Sequence, residues 1–282
     1  MIFSLYNKFG ALNSQPVFDA ISHGLQRHGH KVVYHDDCAD VAVIWSQLWA
    51  GRMRPNQHVW HHYRQANKPV LVLEVGALQR GTTWRLMPNG QNCFLSTNNS
   101  SHRRQQLGID MLDWHYSGKE IVIALQRADS NQWAGQPSLE DWVNSTIASI
   151  RQHTDRPIVV RPHPRYRLGR INHVCEIQQP QRMTNTYDDY NIAKSVKRAW
   201  ALVNHNSNPG VTAVLHGTPS FVGTSSIAGP VANLDFSKIE NPLRPDRTQW
   251  VNDLAWTEWT TDEISQGQGL EQAVSMLSQP GQ

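Results

Sequence analysis

The 282-residue sequence predicts an α/β protein of two successive domains, each a parallel sheet with helices on both faces. Three observations predict it. Short apolar runs alternate with stretches of helical spacing. One of these runs, residues 40–45, is apolar enough to be buried on both faces, as in a parallel sheet. The alternation stops at a polar stretch, residues 98–116, and then begins again.

Residues 1–5 form a short apolar strand, and 9–14 a loop. Residues 16–29 carry Val17, Ile21 and Leu25 at helical spacing, with Gly29 as the stop. Strands follow at 31–34, 40–45 and 69–75, the last preceded by a basic, aromatic segment at 51–67. The linker falls near Ser117-Gly118. A strand at 120–125 opens the second series. Ser138-Leu139-Glu140-Asp141 then starts a helix with acidic residues in its first turn, anchored by Trp142, Ile147 and Ile150. A strand at 157–160, a helix at 187–199 and a strand at 201–203 come next. Residues 246–277 read as helical, with Trp250, Leu254 and Ile264 as anchors. The expected domains are 1–117 and 118–245, with the tail 246–282 packing back toward the first.

Hydrophobic residues make up 39% and charged residues 17%, which marks a globular chain rather than a disordered one. No run approaches the roughly 20 apolar residues needed to span a bilayer, and residues 1–6 lack a basic leader. Cys38, Cys93 and Cys175 are isolated and odd in number, so neither a disulfide framework nor a thiolate metal site is expected. The expected location is cytoplasmic. The net charge of +3 fits an anionic partner without specifying one. Among the fourteen histidines, His28 and His30, or His61 and His62, have no further ligand at metal spacing.

Three motifs carry chemistry. The first is Val203 to Pro219, which reads as strand, polar turn, short helix and next strand. Ser207 or Asn208 can cap the helix, Pro209 suits its first position, and Gly217 its end. Asn206, Ser207, Asn208 and Gly210 then form a candidate phosphate site at a helix N-terminus, though such a turn also serves as an ordinary connection. The second is Arg161-Pro162-His163-Pro164-Arg165, directly after a strand. Two prolines stiffen the turn and display Arg161, His163 and Arg165 where open α/β sheets bind ligands, an arrangement that suits a diphosphate. A rigid loop with solvated charges is the alternative.

The third is Glu74-Val75-Gly76, with Arg80 and Arg85 close behind. A carboxylate at the end of an apolar strand is either used or paired. Glu74 is the candidate base, and Gly76 permits close backbone approach. Pairing of Glu74 with Arg80 or Arg85 is the structural alternative.

These motifs resemble those of glycosyltransferases of the GT-B architecture, two Rossmann-like domains facing a cleft. The likeness is to the bacterial polysialyltransferase and capsule-polysaccharide transferase group and to small phage-encoded glycosyltransferases. The resemblance places the His-Pro motif on His163-Pro164, the phosphate-holding serine motif on Ser207 with Asn206 and Asn208, and the base on Glu74. The tail, Trp250 to Trp259, also resembles the phage type. Where polysialyltransferases have two adjacent acids before the glycine, this sequence has Val75 at the second, and Asp36 and Asp37 are reserve bases. The donor expected is a nucleotide sugar such as a UDP-sugar. With no Asp-x-Asp triplet, no metal or other cofactor is expected.

The acceptor surface is read from mixed basic and aromatic residues: Arg52, Arg54 and Trp60 in the 52–64 segment, Arg80 and Arg85, and Arg103 and Arg104. Together with the phage resemblance, this favours a 5-hydroxymethylpyrimidine in DNA, hydroxymethylcytosine first. A capsule or lipopolysaccharide sugar is the main rival. A nucleotide-sugar epimerase and a non-catalytic nucleic-acid-binding protein are the other classes.

Overall fold

The computed structural model describes residues 1–180 and 192–277. In chain order the elements are β1 (Ile2–Leu5), α1 (Gln15–Arg27), β2 (Lys31–Tyr34), β3 (Val41–Trp45), α2 (Asn56–Gln65), β4 (Val70–Val75), β5 (Trp84–Pro88) and α3 (His102–Gln106). Then come β6 (Glu120–Ala124), α4 (Leu139–Arg151), β7 (Ile158–Arg161), β8 (Glu176–Ile177), α5 (Ile192–Val196), β9 (Ala199–Val203), α6 (Pro209–Leu215) and β10 (Ser220–Phe221). The chain continues through α7 (Thr248–Ala255), β11 (Glu258–Trp259), α8 (Thr261–Ser265) and α9 (Leu270–Leu277). The first part of the helix expected at 187–199 lies outside the described residues; Ala199 already belongs to β9.

The chain divides into two compact units. Met1–Gly108, Asp129–Gln132 and Val251–Gln282 form the first, and Ile109–Ala128 with Trp133–Trp250 the second. The first holds a six-stranded sheet of order β11-β5-β4-β3-β1-β2, the second a five-stranded sheet of order β10-β9-β6-β7-β8. This is a mixed α/β fold of two Rossmann-like units. The second sheet is parallel throughout. In the first, β5 and β11 pair antiparallel, which the alternating rhythm did not signal.

Burial on both faces explains why the central strands are unbroken apolar runs. On β3, Val41, Val43 and Trp45 pack with Phe18, Ile21 and Leu25 of α1, while Ala42 and Ile44 pack with Val59 and Tyr63 of α2. In the second unit Ile121, Ile123 and Val160 meet Val143 and Ile147 of α4, and Val122 and Leu202 meet Ala213 of α6. Helix α4 starts where Ser138 accepts a bond from the Asp141 N–H. Among the described residues no helix is long and apolar enough to cross a membrane.

The tail is not simply helical. Its strand β11 extends the first sheet, with Glu258 opposite Arg85 and Trp259 opposite Trp84. A capping box between Thr260 and Glu263 then starts α8.

Candidate active site

Strand order reverses in each sheet: between β1 and β3 in the first unit, and between β6 and β9 in the second. Ligands of open α/β sheets bind outside the carboxyl ends of the strands at such reversals. In the second unit the loops leaving β7 and β9 flank β6 at this edge.

The β7 loop is shaped from within. The Arg165 N–H donates to His163 Nδ1 at 3.1 Å, so the imidazole carries its proton on Nε2. Arg161 is half-buried and donates to Ser195 Oγ at 2.6 Å. Burial lowers the pKa of its guanidinium. Arg165 is exposed. Glu140 of α4 pins the rest of the loop, accepting from the Tyr166 hydroxyl at 3.1 Å and the Gly169 N–H at 2.7 Å.

The turn after β9 is held by two residues that sequence reasoning missed. Asn204 is 1% exposed, and its amide donates to the Ser207 carbonyl at 2.8 Å and hydroxyl at 3.1 Å. Gln126, just beyond β6, accepts the Asn206 N–H at 3.3 Å. The Asn206 amide donates to Ser225 Oγ at 3.0 Å. Ser207 and Asn208 are half-buried. The only sequence signal for Asn204 was its place beside the serine motif.

Two details of the expected anion turn are corrected. Asn208 sits at the N-cap with helical angles and makes no side-chain cap bond. The Gly210 N–H donates to the Ser207 carbonyl at 3.2 Å, so it closes the turn. A Cβ at Gly210 would stand 2.8 Å from Asn204 Oδ1 and 3.1 Å from Val222, so the glycine lets α6 pack tightly on the sheet. Beside the turn, Trp142, His205, Phe221 and Phe236 are among the residues lining a pocket of about 190 Å³. His205 is edge-on to Trp133, and burial lowers its pKa.

In the first unit Glu74 lies one residue from the end of β4. Its Oε2 accepts from the Ser46 hydroxyl at 2.8 Å and its Oε1 from the Val75 N–H at 3.0 Å. Arg85, opposite Glu74 in register, is buried; burial pulls its pKa down, and the nearby Glu258 and Glu74 pull it back up. Arg85 therefore belongs to the interior and is removed from the acceptor surface. Arg103 is removed for the same reason. Its side chain is 2% exposed, forms a two-pronged bond with Glu263 and donates to the Glu258 carbonyl at 2.6 Å.

Arg52, Arg54 and Arg80 are exposed, and Arg104 is half-buried. Trp60 is half-buried, with the Arg64 guanidinium 5.9 Å from its ring centre. Of the reserve acids, Asp37 accepts the Tyr6 hydroxyl at 2.6 Å, and Asp36 accepts the Cys38 N–H at 2.9 Å. Among the described residues no group of three or more His, Cys, Asp or Glu is placed to hold a metal ion.

Gly76 has a different job from the one expected. A Cβ there would collide with Thr83 Oγ1 and Glu258 Oε2, so the space beside it is filled by protein. The buried Glu258 carboxylate accepts from the N–H groups of Ala77 at 2.6 Å, Leu78 at 2.8 Å and Gln79 at 3.3 Å, and from Thr83 Oγ1 at 2.7 Å. Gly76→Ala is expected to destabilise the first unit by about 1–3 kcal/mol, as overpacking does. Thermal melting checks this; an unchanged midpoint would show that the loop can give way.

No protein-family model and no curated protein matches the chain. Among solved structures, a β-Kdo 2,4-transferase, KpsC of Thermosulfurimonas dismutans, superposes with a TM-score of 0.52 at 12% identity, over 92% of each chain. The chain shares that protein's fold. The β-Kdo 2,7-transferase of the same organism's KpsC gives 0.48 at 14% identity, over 96% of this chain and 100% of that one. A UDP-GlcNAc 2-epimerase of Methanocaldococcus jannaschii, solved with UDP-GlcNAc and UDP, gives 0.35 at 11% identity, over 99% of each.

Proposed function

We propose that the chain is a glycosyltransferase that moves a sugar from a nucleotide-sugar donor to a hydroxyl acceptor, with inversion and without a metal ion. The observation that carries this reading is the pair of loops flanking β6. Two strand spacings separate them, about 10 Å, a span suited to the phosphates of a nucleotide. Arg161 ends β7, His163 and Arg165 follow in its loop, and Ser207 comes from the turn after β9. They supply cations and O–H and N–H donors where the departing phosphate gathers charge. Glu74 takes the proton of the acceptor hydroxyl as its oxygen bonds to the anomeric carbon and the bond to phosphate breaks.

The exposed Arg52, Arg54 and Arg80 support an anionic acceptor. On the phage resemblance, a 5-hydroxymethylpyrimidine in DNA is the acceptor we favour. The shared fold with a β-Kdo transferase favours a second reading, a polysaccharide acceptor.

Mass spectrometry tests both readings, after incubation of the protein with a panel of nucleotide sugars and with hydroxymethylcytosine DNA, hydroxymethyluracil DNA or oligosaccharides. Sugar mass added to modified DNA is the expected result. Transfer to oligosaccharide alone overturns the DNA acceptor. Interconversion of the free nucleotide sugar indicates an epimerase, and duplex binding with no nucleotide-sugar affinity a binding protein. Association with modified duplex should weaken steeply as salt rises, through counterion release; a flat dependence counts against DNA.

His163→Ala should lower transfer by about a hundredfold while the circular dichroism spectrum stays native. An unchanged rate removes His163 from the chemistry.

A further inference from the structure

We propose that Ser46 is a positioning residue that aims the Glu74 carboxylate. This rests on the reading of Glu74 as the base.

The five residues of β3 are buried, and the chain must leave the sheet sharply after Trp45. It does so at Ser46, with φ at +58°. This left-handed region is costly for a residue with a Cβ and open to glycine. Other non-glycine residues in this region are His35, Asn67, Asn89 and Asn98, and asparagine tolerates it better than most. Serine has no such ease. What it adds over glycine is a hydroxyl, and that hydroxyl donates to Glu74 Oε2 at 2.8 Å.

The strained turn is held on both sides. The Ser46 N–H donates to the Leu73 carbonyl at 2.8 Å. Just beyond, the Gln47 carbonyl accepts the Asn131 N–H at 2.9 Å, and the Trp49 N–H donates to the Asp129 carbonyl at 3.1 Å. Ser46 is 8% exposed, so its bond to Glu74 meets little competition from water. Backbone strain that persists because its surroundings fix it gathers at working sites. Here it places the hydroxyl that grips Oε2, while the Val75 N–H grips Oε1 at 3.0 Å. With both oxygens held, the carboxylate plane is set and its remaining lone pairs point in fixed directions. The acceptor proton passes to Glu74, and Ser46 keeps its own.

The test compares Ser46→Gly, Ser46→Ala, Glu74→Gln and the double variant Ser46→Gly/Glu74→Gln in steady-state transfer and thermal melting. Ser46→Gly should melt at or above Ser46→Ala, because glycine relieves the turn. Both should lose about tenfold to a hundredfold in kcat with donor KM within about twofold. The double variant should be no slower than Glu74→Gln, since the two side chains act as one unit. Full kcat in Ser46→Gly beside an inactive Glu74→Gln overturns the positioning role and leaves Glu74 as the base. Losses that simply add in the double variant also overturn it. A Glu74→Gln enzyme running at the wild-type rate overturns the base reading itself.

Discussion

Glu74→Gln is expected to bind donor nearly normally and to lose about 10³-fold in turnover, the size of effect general base catalysis supplies. The substitution keeps the side-chain shape, and its amide oxygen can still accept the Ser46 hydroxyl now bonded at 2.8 Å. What disappears is the carboxylate proposed to take the acceptor proton. Rates with saturating donor and acceptor, together with donor affinity, separate a lost base from lost binding. Asp36→Asn and Asp37→Asn should stay close to the wild-type rate. The Asp36 carboxylate closes its own turn on the Cys38 N–H, and the Asp37 carboxylate accepts the Tyr6 hydroxyl. Burial first, and that bond second, push the Tyr6 hydroxyl's pKa up, so the tyrosine stays a donor. Near-normal turnover in Glu74→Gln, with a large loss in either aspartate variant, would transfer the base to that pair.

Arg103→Ala should cost about 3–5 kcal/mol of stability, the range for breaking one partner out of a buried ion pair. The guanidinium joins Glu263 at the start of α8 to the Glu258 carbonyl in β11, and lies 4.5 Å from the Trp259 ring centre. Its removal takes from Glu263 its cationic partner, leaving the carboxylate the bonds from Thr260 and Gln106, and opens space against the indole. The pair also predicts a pH response. Burial alone would raise the Glu263 pKa, but the bonds from Arg103 and Thr260 override it and hold the carboxyl below its ordinary value. Its contribution is therefore present above the ordinary glutamate pKa of about 4.3 and is lost as pH falls through the lower folded value. Arg103→Ala should lose less stability than the wild type over that acidic window. Equal losses, or a melting point unchanged at pH 7, would mean that the ion pair does not hold the tail.

Much of the sheet scaffold was legible: burial on both faces makes β3 and β4 apolar runs, and 40–45 and 69–75 differ from them by one residue, while 31–34 matches β2, an edge strand with exposed ends, to the residue. Short antiparallel pieces were not legible. β11 is two residues long, and its partner β5 holds a buried arginine and a proline, so neither has the apolar run that announced the others. The 51–67 segment looked like a surface patch; Val59 and Tyr63 make α2 a packed helix within it. The basic acceptor residues show the same limit in reverse. Composition counted Arg85 and Arg103 with Arg52 and Arg54, but only a partner far along the chain, Glu258 or Glu263, reveals that two of the four are interior. The candidate site motifs were found because each lies at a strand's end, whereas Ser46 lacked any signal: the role proposed for it lies in a backbone angle that serine does not advertise.

The hold of Glu258 on the loop after β4 has a consequence for the order of assembly. The amides it binds lie 179 to 181 residues earlier in the chain. A ribosome therefore delivers Glu74 and its loop long before the carboxylate that shapes them. Contacts so distant in sequence form late, after the local ones. In the interval three N–H groups have water in place of Glu258, and the first sheet lacks its β11 edge. If Glu74 is the base proposed above, activity should appear only once synthesis has passed β11, so a strand some 180 residues downstream would time the centre around Glu74.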